Sequence, residues 1–369
     1  MLYSEEIYNW NLVFMRSIGY LGNRRRAYFL LSLPVLICFG AIYGTYKMWS
    51  DFDKVIINLF KTSGLLTVTL RSFVIIQKEK KLYDFFDYIS QLYRELQAEG
   101  DETTLKRMHE FARKTKRYTK GLFILMIACT FYISLIQVMS TFGIGLKKFL
   151  IEMELPFISV NENPYWDIFS TLQAVWLAPS ILLSYISYLC IIFTTISFGI
   201  LLMKDLQFKL GNMNEKNDLE AYEYIKNCVK QHVMIIKYHR QMEVLFSLGS
   251  CAEVCNFCII PCVIIVYSTM DYDLAFLMTD IQLAVIAVSS TFFNFWLANN
   301  FCVESLNIAY AAYNSNWIDR NKEFRKYIVL IMTMSQKPLQ LTAAGLKPIN
   351  MEFFLAILRA AYSLFTVLQ

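Results

Sequence analysis

Long apolar runs constrain this chain more than any other feature. A backbone in hydrocarbon must satisfy its own polar groups, so an unbroken run of about 20 apolar residues reads as a transmembrane helix. Seven spans are predicted: Tyr28 to Met48, Val55 to Ile76, Gly121 to Ile144, Ile168 to Leu202, Val244 to Met270, Leu274 to Ala298 and Met351 to Leu368. Of the 369 residues, 56% are hydrophobic and 18% charged, where soluble domains carry about a quarter charged. The charges fall in blocks between the runs. The expected fold class is an all-α membrane protein of seven transmembrane helices.

The charge blocks predict an orientation. The N-terminal stretch with Arg16 and Arg24 to Arg26, and the stretches Lys78 to Lys120, Lys204 to Glu243 and Asn300 to Lys347, hold most of the Lys and Arg. The alternate segments, Trp49 to Lys54, Gly145 to Asp167 and Asp271 to Asp273, have only Lys54, Lys147 and Lys148 as basic residues. Basic loops stay on the cytoplasmic side, so the N-terminus is expected inside and the C-terminus outside. Met1 to Asn11 contains Glu5 and Glu6 and no basic residue, so a cleavable signal peptide is not expected. The second span is interrupted by Lys61 and Arg71. Either these are polar groups near the midplane, or each snorkels to its nearer surface.

The basic segments are themselves patterned. Lys80 to Gln97 places Leu82, Phe85, Phe86, Ile89 and Leu92 at helical spacing. Ala221 to Met242 does the same with Tyr224, Ile225, Cys228, Val229, His232, Ile235 and Ile236, and Phe324 to Met334 is a third amphipathic stretch. Spans are therefore expected to continue into the cytosol as helices and pack there as an anchor; surface helices lying on the membrane are the alternative. The chain divides into a cytosolic segment 1–27, a six-helix membrane domain 28–298 with helical extensions, an anchor segment 299–347 and a final helix 348–369.

Catalytic and metal chemistry finds little support. Cys251, Cys255, Cys258 and Cys262 lie at i, i+4, i+7 and i+11, one stripe of a continuous helix that cannot wrap an ion alone. Small residues buried at a helix interface are the expectation. His109, His232 and His239 fall in cytosolic stretches with no partner set at metal-ligand spacing, and the latter two read as anchor-helix residues. No phosphate-binding glycine loop, GxSxG or HExxH occurs. No enzyme activity, cofactor or metal is expected. The net charge of +5 sits beside the spans and does not argue for nucleic acid.

The last sixty residues carry a sharper signal. Ala312-Tyr313-Asn314-Ser315-Asn316-Trp317 leads into a basic stretch through Arg325 and Lys326. Then come Ser335-Gln336-Lys337-Pro338-Leu339, Thr342-Ala343-Ala344-Gly345, and a final span with Tyr362-Ser363 near its end. This order resembles the C-terminal signature of the insect odorant receptors. An outer loop with Leu155-Pro156-Phe157 and Pro164-Tyr165-Trp166 matches more loosely. The resemblance implies an odorant-gated, non-selective cation channel in the plasma membrane of a sensory neuron dendrite. In it, a tuning subunit assembles with a shared co-receptor subunit as a heterotetramer, and each final span lines the pore. The short connection between the fourth and fifth spans makes this chain look like a tuning subunit. A gustatory-receptor-like channel is the nearest alternative. A G-protein-coupled receptor has the opposite orientation, and a transporter is third.

The final span agrees with that expectation. Ala356, Ala360, Ser363 and Val367 fall on one helical face, with Thr366 beside the last of them. Four copies would leave a lumen closed by an apolar ring at Val367, a gate by dewetting; an ordinary small-residue packing face is the alternative. Arg359 lies roughly 80° around from that face and is expected to hold the helix to a neighbour. The resemblance places an odorant pocket between the outer halves of spans two, three, four and six. Candidate contacts there are Phe60 and Gly64; Phe131, Leu135 and Met139; Trp176 and Ser180; and Met278, Thr279 and Gln282. A small volatile ligand needs an apolar cavity with one or two polar groups, which Ser180, Thr279 or Gln282 would supply.

Overall fold

Asn23 begins the first helix by accepting the Arg26 backbone N–H at 3.1 Å, and the same device recurs along the chain. Asp51, Asp101 and Asn321 cap later helices with their side chains. The computed structural model describes residues 13, 15–16, 19–142, 148–213, 218–267 and 274–368. Among them the order is α1 Arg24–Lys47, α2 Phe52–Gln77, α3 Glu79–Glu99, α4 Glu102–Thr141, α5 Tyr165–Gly211, α6 Asp218–Tyr267, α7 Leu274–Tyr313, α8 Lys322–Ser335 and α9 Met351–Leu368. A two-residue hairpin, β1 Thr342–Ala343 and β2 Lys347–Pro348, precedes α9. Helix α5 contains one π-helical turn, Gln173–Leu177.

Six of these helices, α1, α2, α4, α5, α6 and α7, are long and apolar enough to cross a membrane. Four outrun the bilayer. Helices α4 to α7 have 40, 47, 50 and 40 residues, or about 60–75 Å at 1.5 Å per residue against about 30 Å of hydrocarbon. Their remaining halves build a second packed layer with α3 and α8. There α3 buries Leu82, Phe85, Phe86, Ile89 and Leu92, and α8 buries Phe324, Ile328 and Ile331. Both faces join one core with Ile225, Ile235, Tyr238 and Ile308. The amphipathic stretches are thus packed against one another rather than lying free. Asp205 ties the layer together, accepting from Thr104 at 2.7 Å and Gln231 at 2.8 Å and pairing with Lys209 at 2.9 Å.

A smaller core closes the opposite end of the bundle. Leu33, Ile37, Cys129 and Ile133 pack there under Phe149, Leu150, Ile151 and Trp166. The loop carrying Ile151 is latched by Gln173 in the π turn, whose amide donates to the Ile151 carbonyl at 3.1 Å and accepts its N–H at 3.0 Å.

Two readings are settled against the sequence. Neither Lys61 nor Arg71 snorkels. Lys61 pairs with Asp280 at 2.9 Å and Arg71 with Glu253 at 2.5 Å, all four side chains buried. A charge left in hydrocarbon is so unfavourable that pairing across helices replaces the reach to the surface. The cysteine stripe does not face a helix interface: Cys255 and Cys258 are exposed and Cys251 half-buried, while the Cys262 side chain lies outside the described residues. Thiols are apolar enough for that outer face. Before α1, Met15, Tyr20 and Leu21 are buried in the main core. Tyr20 lies 2.8 Å from Ser72 and 2.7 Å from Ser184, joining α2 to α5. The predicted span end at Ile144, Lys147 and the segment 268–273 lie outside the described residues.

Candidate functional site: an apolar cavity beneath the Ile151 loop

Helix α2 contributes most of the wall. Phe60, Gly64 and Val68 recur every fourth residue, so they share one face, with Lys61, Leu65 and Thr67 beside them. Ile133 of α4, Ala178, Ile181, Leu182 and Tyr185 of α5, Asn256 of α6, and Leu283, Ile286 and Ala287 of α7 complete the ring. Leu150 and Ile151 of the latched loop form the roof. The cavity is only partly closed, and its volume is about 120 Å³. An apolar protein cavity of about 150 Å³ holds benzene, so this one suits a molecule of about one ring.

The cavity is apolar except along α2 and α6 and at Tyr185 of α5. Lys61 reaches it while paired with Asp280. Asn256 accepts from Ser63 Oγ at 2.8 Å, and its Nδ2 lies 3.9 Å from where a Gly64 Cβ would stand. The Thr67 hydroxyl donates to the Ala252 carbonyl at 3.2 Å, and Tyr185 shares a 2.5 Å hydrogen bond with Ser290. Glu152, in the loop above, has its carboxyl raised above the ordinary range by burial, a shift partly offset by Lys61.

Tyr185 also connects the cavity to a buried polar cluster. Arg71 sits 4.4 Å from the Tyr188 ring and 5.7 Å from Tyr185, and donates to the Gly249 carbonyl at 3.1 Å. Its partner Glu253 accepts twice from the Asn294 amide, at 3.0 and 2.8 Å. One residue on, Phe295 packs on Phe353 and Phe354 at the start of α9. Phe354 also stacks on Phe257, one residue from Asn256. Aromatic packing thus fastens the root of the final helix beside the cluster.

Of the predicted contacts, Phe60 and Gly64 line the cavity. Phe131, 71% exposed, lies with Leu135 and Met139 on the outer face of α4, and Met278 is exposed on α7. Trp176 packs on Phe29 of α1, ring centroids 5.0 Å apart. Ser180 lines a separate, much smaller void and donates to the Leu177 carbonyl at 2.9 Å. Thr279 is buried next to Asp280, and Gln282 is half-buried outside the lining. The polar wall groups that the sequence reading passed over are Asn256 and Tyr185. Lys61, a charge inside an apolar run, is the one signal that would have led to them.

In α9, Ala356, Ala360, Ser363 and Arg359 are exposed on the chain's surface. The side chains of Thr366 and Val367 lie outside the described residues.

The family model "7tm Odorant receptor" matches residues 51–362. Relatives include Odorant receptor 10 of Aedes albopictus, 26% identical over 87% of this chain and 85% of that protein. Odorant receptor Or2 of Anopheles gambiae is 24% identical over 88% of this chain and 86% of its own. Among solved structures, the olfactory receptor OR5 of Machilis hrabei in complex with eugenol superposes with a TM-score of 0.80 at 15% identity, covering 99% of this chain and 98% of that one. With 312 of its residues under one family model and a cavity set among membrane-length helices, this multi-pass membrane protein belongs to the 7tm odorant receptor family.

Proposed function

We propose that this odorant receptor is the tuning subunit of a ligand-gated, non-selective cation channel. It assembles with a shared co-receptor subunit as a heterotetramer in the plasma membrane of sensory dendrites. It spans the membrane seven times, α9 being the seventh span, with its N-terminus in the cytosol and its C-terminus outside. A small volatile odorant occupies the cavity under the outer loop; the Machilis receptor of the same fold was solved in complex with eugenol. The overhanging halves of α4 to α7, with α3 and α8, form the cytosolic anchor.

One observation carries the reading. Helix α9 is rooted by Phe353 and Phe354, yet its small residues Ala356, Ala360 and Ser363 face away from its own bundle. A face of that kind suits a shared axis, with Thr366 and Val367 further along it toward the gate. Arg359, exposed on the same helix, is the candidate contact to a neighbouring subunit. Ligand binding shifts the equilibrium only by its preference for the open arrangement. The Arg71 and Glu253 cluster, lying between Tyr185 and the aromatic root of α9, is where that preference would reach the pore.

The test is whole-cell current during an odorant screen, in cells expressing this chain with and without an insect co-receptor, G-protein signalling blocked. A fast cation current needing both subunits is expected. Current from this chain alone removes the obligate partner. Silence with the protein confirmed at the surface removes the channel reading.

A further inference from the structure

The chemistry of the cavity wall selects among odorants, and this inference rests on the reading of the cavity as the odorant site. We propose that the receptor takes an uncharged molecule of about one ring that carries a hydrogen-bond acceptor, which docks between the Lys61 ammonium and the Asn256 amide.

Lys61 and Asn256 flank the same turn of α2. Gly64 is one turn from Lys61, about 4.5 Å along the axis, and the Asn256 amide nitrogen faces the Gly64 position at 3.9 Å. Asn256 Oδ1 is already engaged by Ser63, which leaves the amide N–H groups toward the ligand. The Thr67 hydroxyl proton is engaged by the Ala252 carbonyl. With its proton so engaged, Thr67 presents only oxygen lone pairs, and the N–H donors on the α2–α6 side, Lys61 and Asn256, call for an acceptor on the ligand.

Charge is excluded by the ion pair. Asp280 is fully buried and sits 2.9 Å from Lys61, so the wall carries no net charge from that pair. A carboxylate ligand would compete for Lys61 and leave Asp280 buried without its cation. An ammonium ligand would meet Lys61 itself. Either leaves a desolvated charge uncompensated, which an apolar cavity does not tolerate. A ketone, ester or ether oxygen accepts from Lys61 and Asn256 without disturbing the pair. The volume of about 120 Å³ limits the ligand to about one ring, and because the cavity is only partly closed a short substituent extends through its mouth.

The test uses shape-matched pairs: acetophenone against α-methylstyrene, and cyclohexanone against methylenecyclohexane, with benzoate as the charged control. Each pair exchanges C=O for C=CH2 at nearly constant shape. Dose–response currents are recorded with the co-receptor, and purified wild-type receptor is followed by thermal shift with the same compounds. The wild type is expected to respond to the ketones at concentrations about tenfold or more below their hydrocarbon partners, and not to benzoate. Lys61→Met combined with Asp280→Asn, or Asn256→Leu, should narrow that ratio toward unity while the hydrocarbon response persists. If the double variant does not reach the surface, Asn256→Leu and the wild-type thermal shifts decide. No ketone preference in current and thermal shift, or a preference unchanged in the variants, overturns the proposal and leaves the cavity standing. Gly64→Leu should weaken both members of each pair equally by filling the cavity. If Gly64→Leu changes neither, the cavity is not the odorant site, and the proposal falls with it.

Discussion

Two buried ion pairs hold α2 in place, and they differ in what surrounds them. Arg71 has Glu253, the Gly249 carbonyl and the Tyr188 ring, while Asn294 fills the remaining demand of Glu253. Removing one ion of such a pair strands the other, at about 3–5 kcal/mol, whereas replacing both with apolar isosteres is far milder. Arg71→Met alone should therefore abolish surface expression or sharply lower the melting temperature, and adding Glu253→Met should recover most of it. A double variant no better than the single would show that these ions are needed for more than neutralising each other. Glu152 is the other residue with a measurable signature. Burial raises its carboxyl, with Lys61 and Lys148 opposing and Glu154 adding to the effect. A carboxyl raised by folding favours the folded state below its unfolded value, near about 4.3, and loses that advantage as pH climbs through its folded value. Glu152→Gln should accordingly stabilise the purified receptor at neutral pH, the gain vanishing as the buffer is acidified toward pH 4. A gain independent of pH would argue against ionisation as its cause.

At the level of elements, the motif that carries the family resemblance turns out to be a clamp. Thr342-Ala343-Ala344-Gly345 forms a hairpin with Lys347–Pro348, and both turn residues have positive φ, 52° at Ala344 and 75° at Gly345. That geometry belongs to the tight primed turns that match strand twist. Helix α6 grips it from one side: Glu243 accepts from the Thr342 N–H at 3.1 Å and from its hydroxyl, and the Ser247 carbonyl accepts from Ala344 at 3.0 Å. His239 meets the Gln340 carbonyl at 2.8 Å. The hairpin thus sets where α9 starts. Gly345→Ala finds open space, so its effect is purely backbone strain of about 1–2 kcal/mol. It should lower the melting temperature by a few degrees and shift odorant sensitivity, with surface expression retained. Unchanged melting and sensitivity would mean the turn is not under tension.

For the whole molecule, the decisive feature is asymmetry of burial. One main core runs through most of the bundle, while among its described side chains α9 is buried chiefly in its first turn. The proposed pore role of α9 predicts that Ser363→Cys, expressed with the co-receptor, is modified by a charged thiol reagent applied from outside during odorant stimulation. Current should change irreversibly, and the wild type, whose Cys255 and Cys258 are exposed, serves as the control. No change in a receptor that still responds would remove Ser363 from the conduction path.

The sequence alone determined the all-helical membrane class, six of the seven expected spans and the family. Hydrocarbon demands long apolar runs and amphipathic helices show their period locally, while the C-terminal motif is contiguous. It could not determine which face of each span looks inward. Phe131, Leu135 and Met139 make an apolar stripe on α4, yet that stripe is exposed and Ile133 lines the cavity instead. In a membrane both faces of a helix are apolar, so hydrophobicity loses the directional meaning it has in water. Lys61 and Arg71 were visible as anomalies, but their partners Asp280 and Glu253 stand 219 and 182 positions away, and only tertiary packing brings them together. The cavity belongs to that same second category. It exists where α2, α4, α5, α6 and α7 fail to fill the space between them, a property of the assembled bundle that no one segment carries.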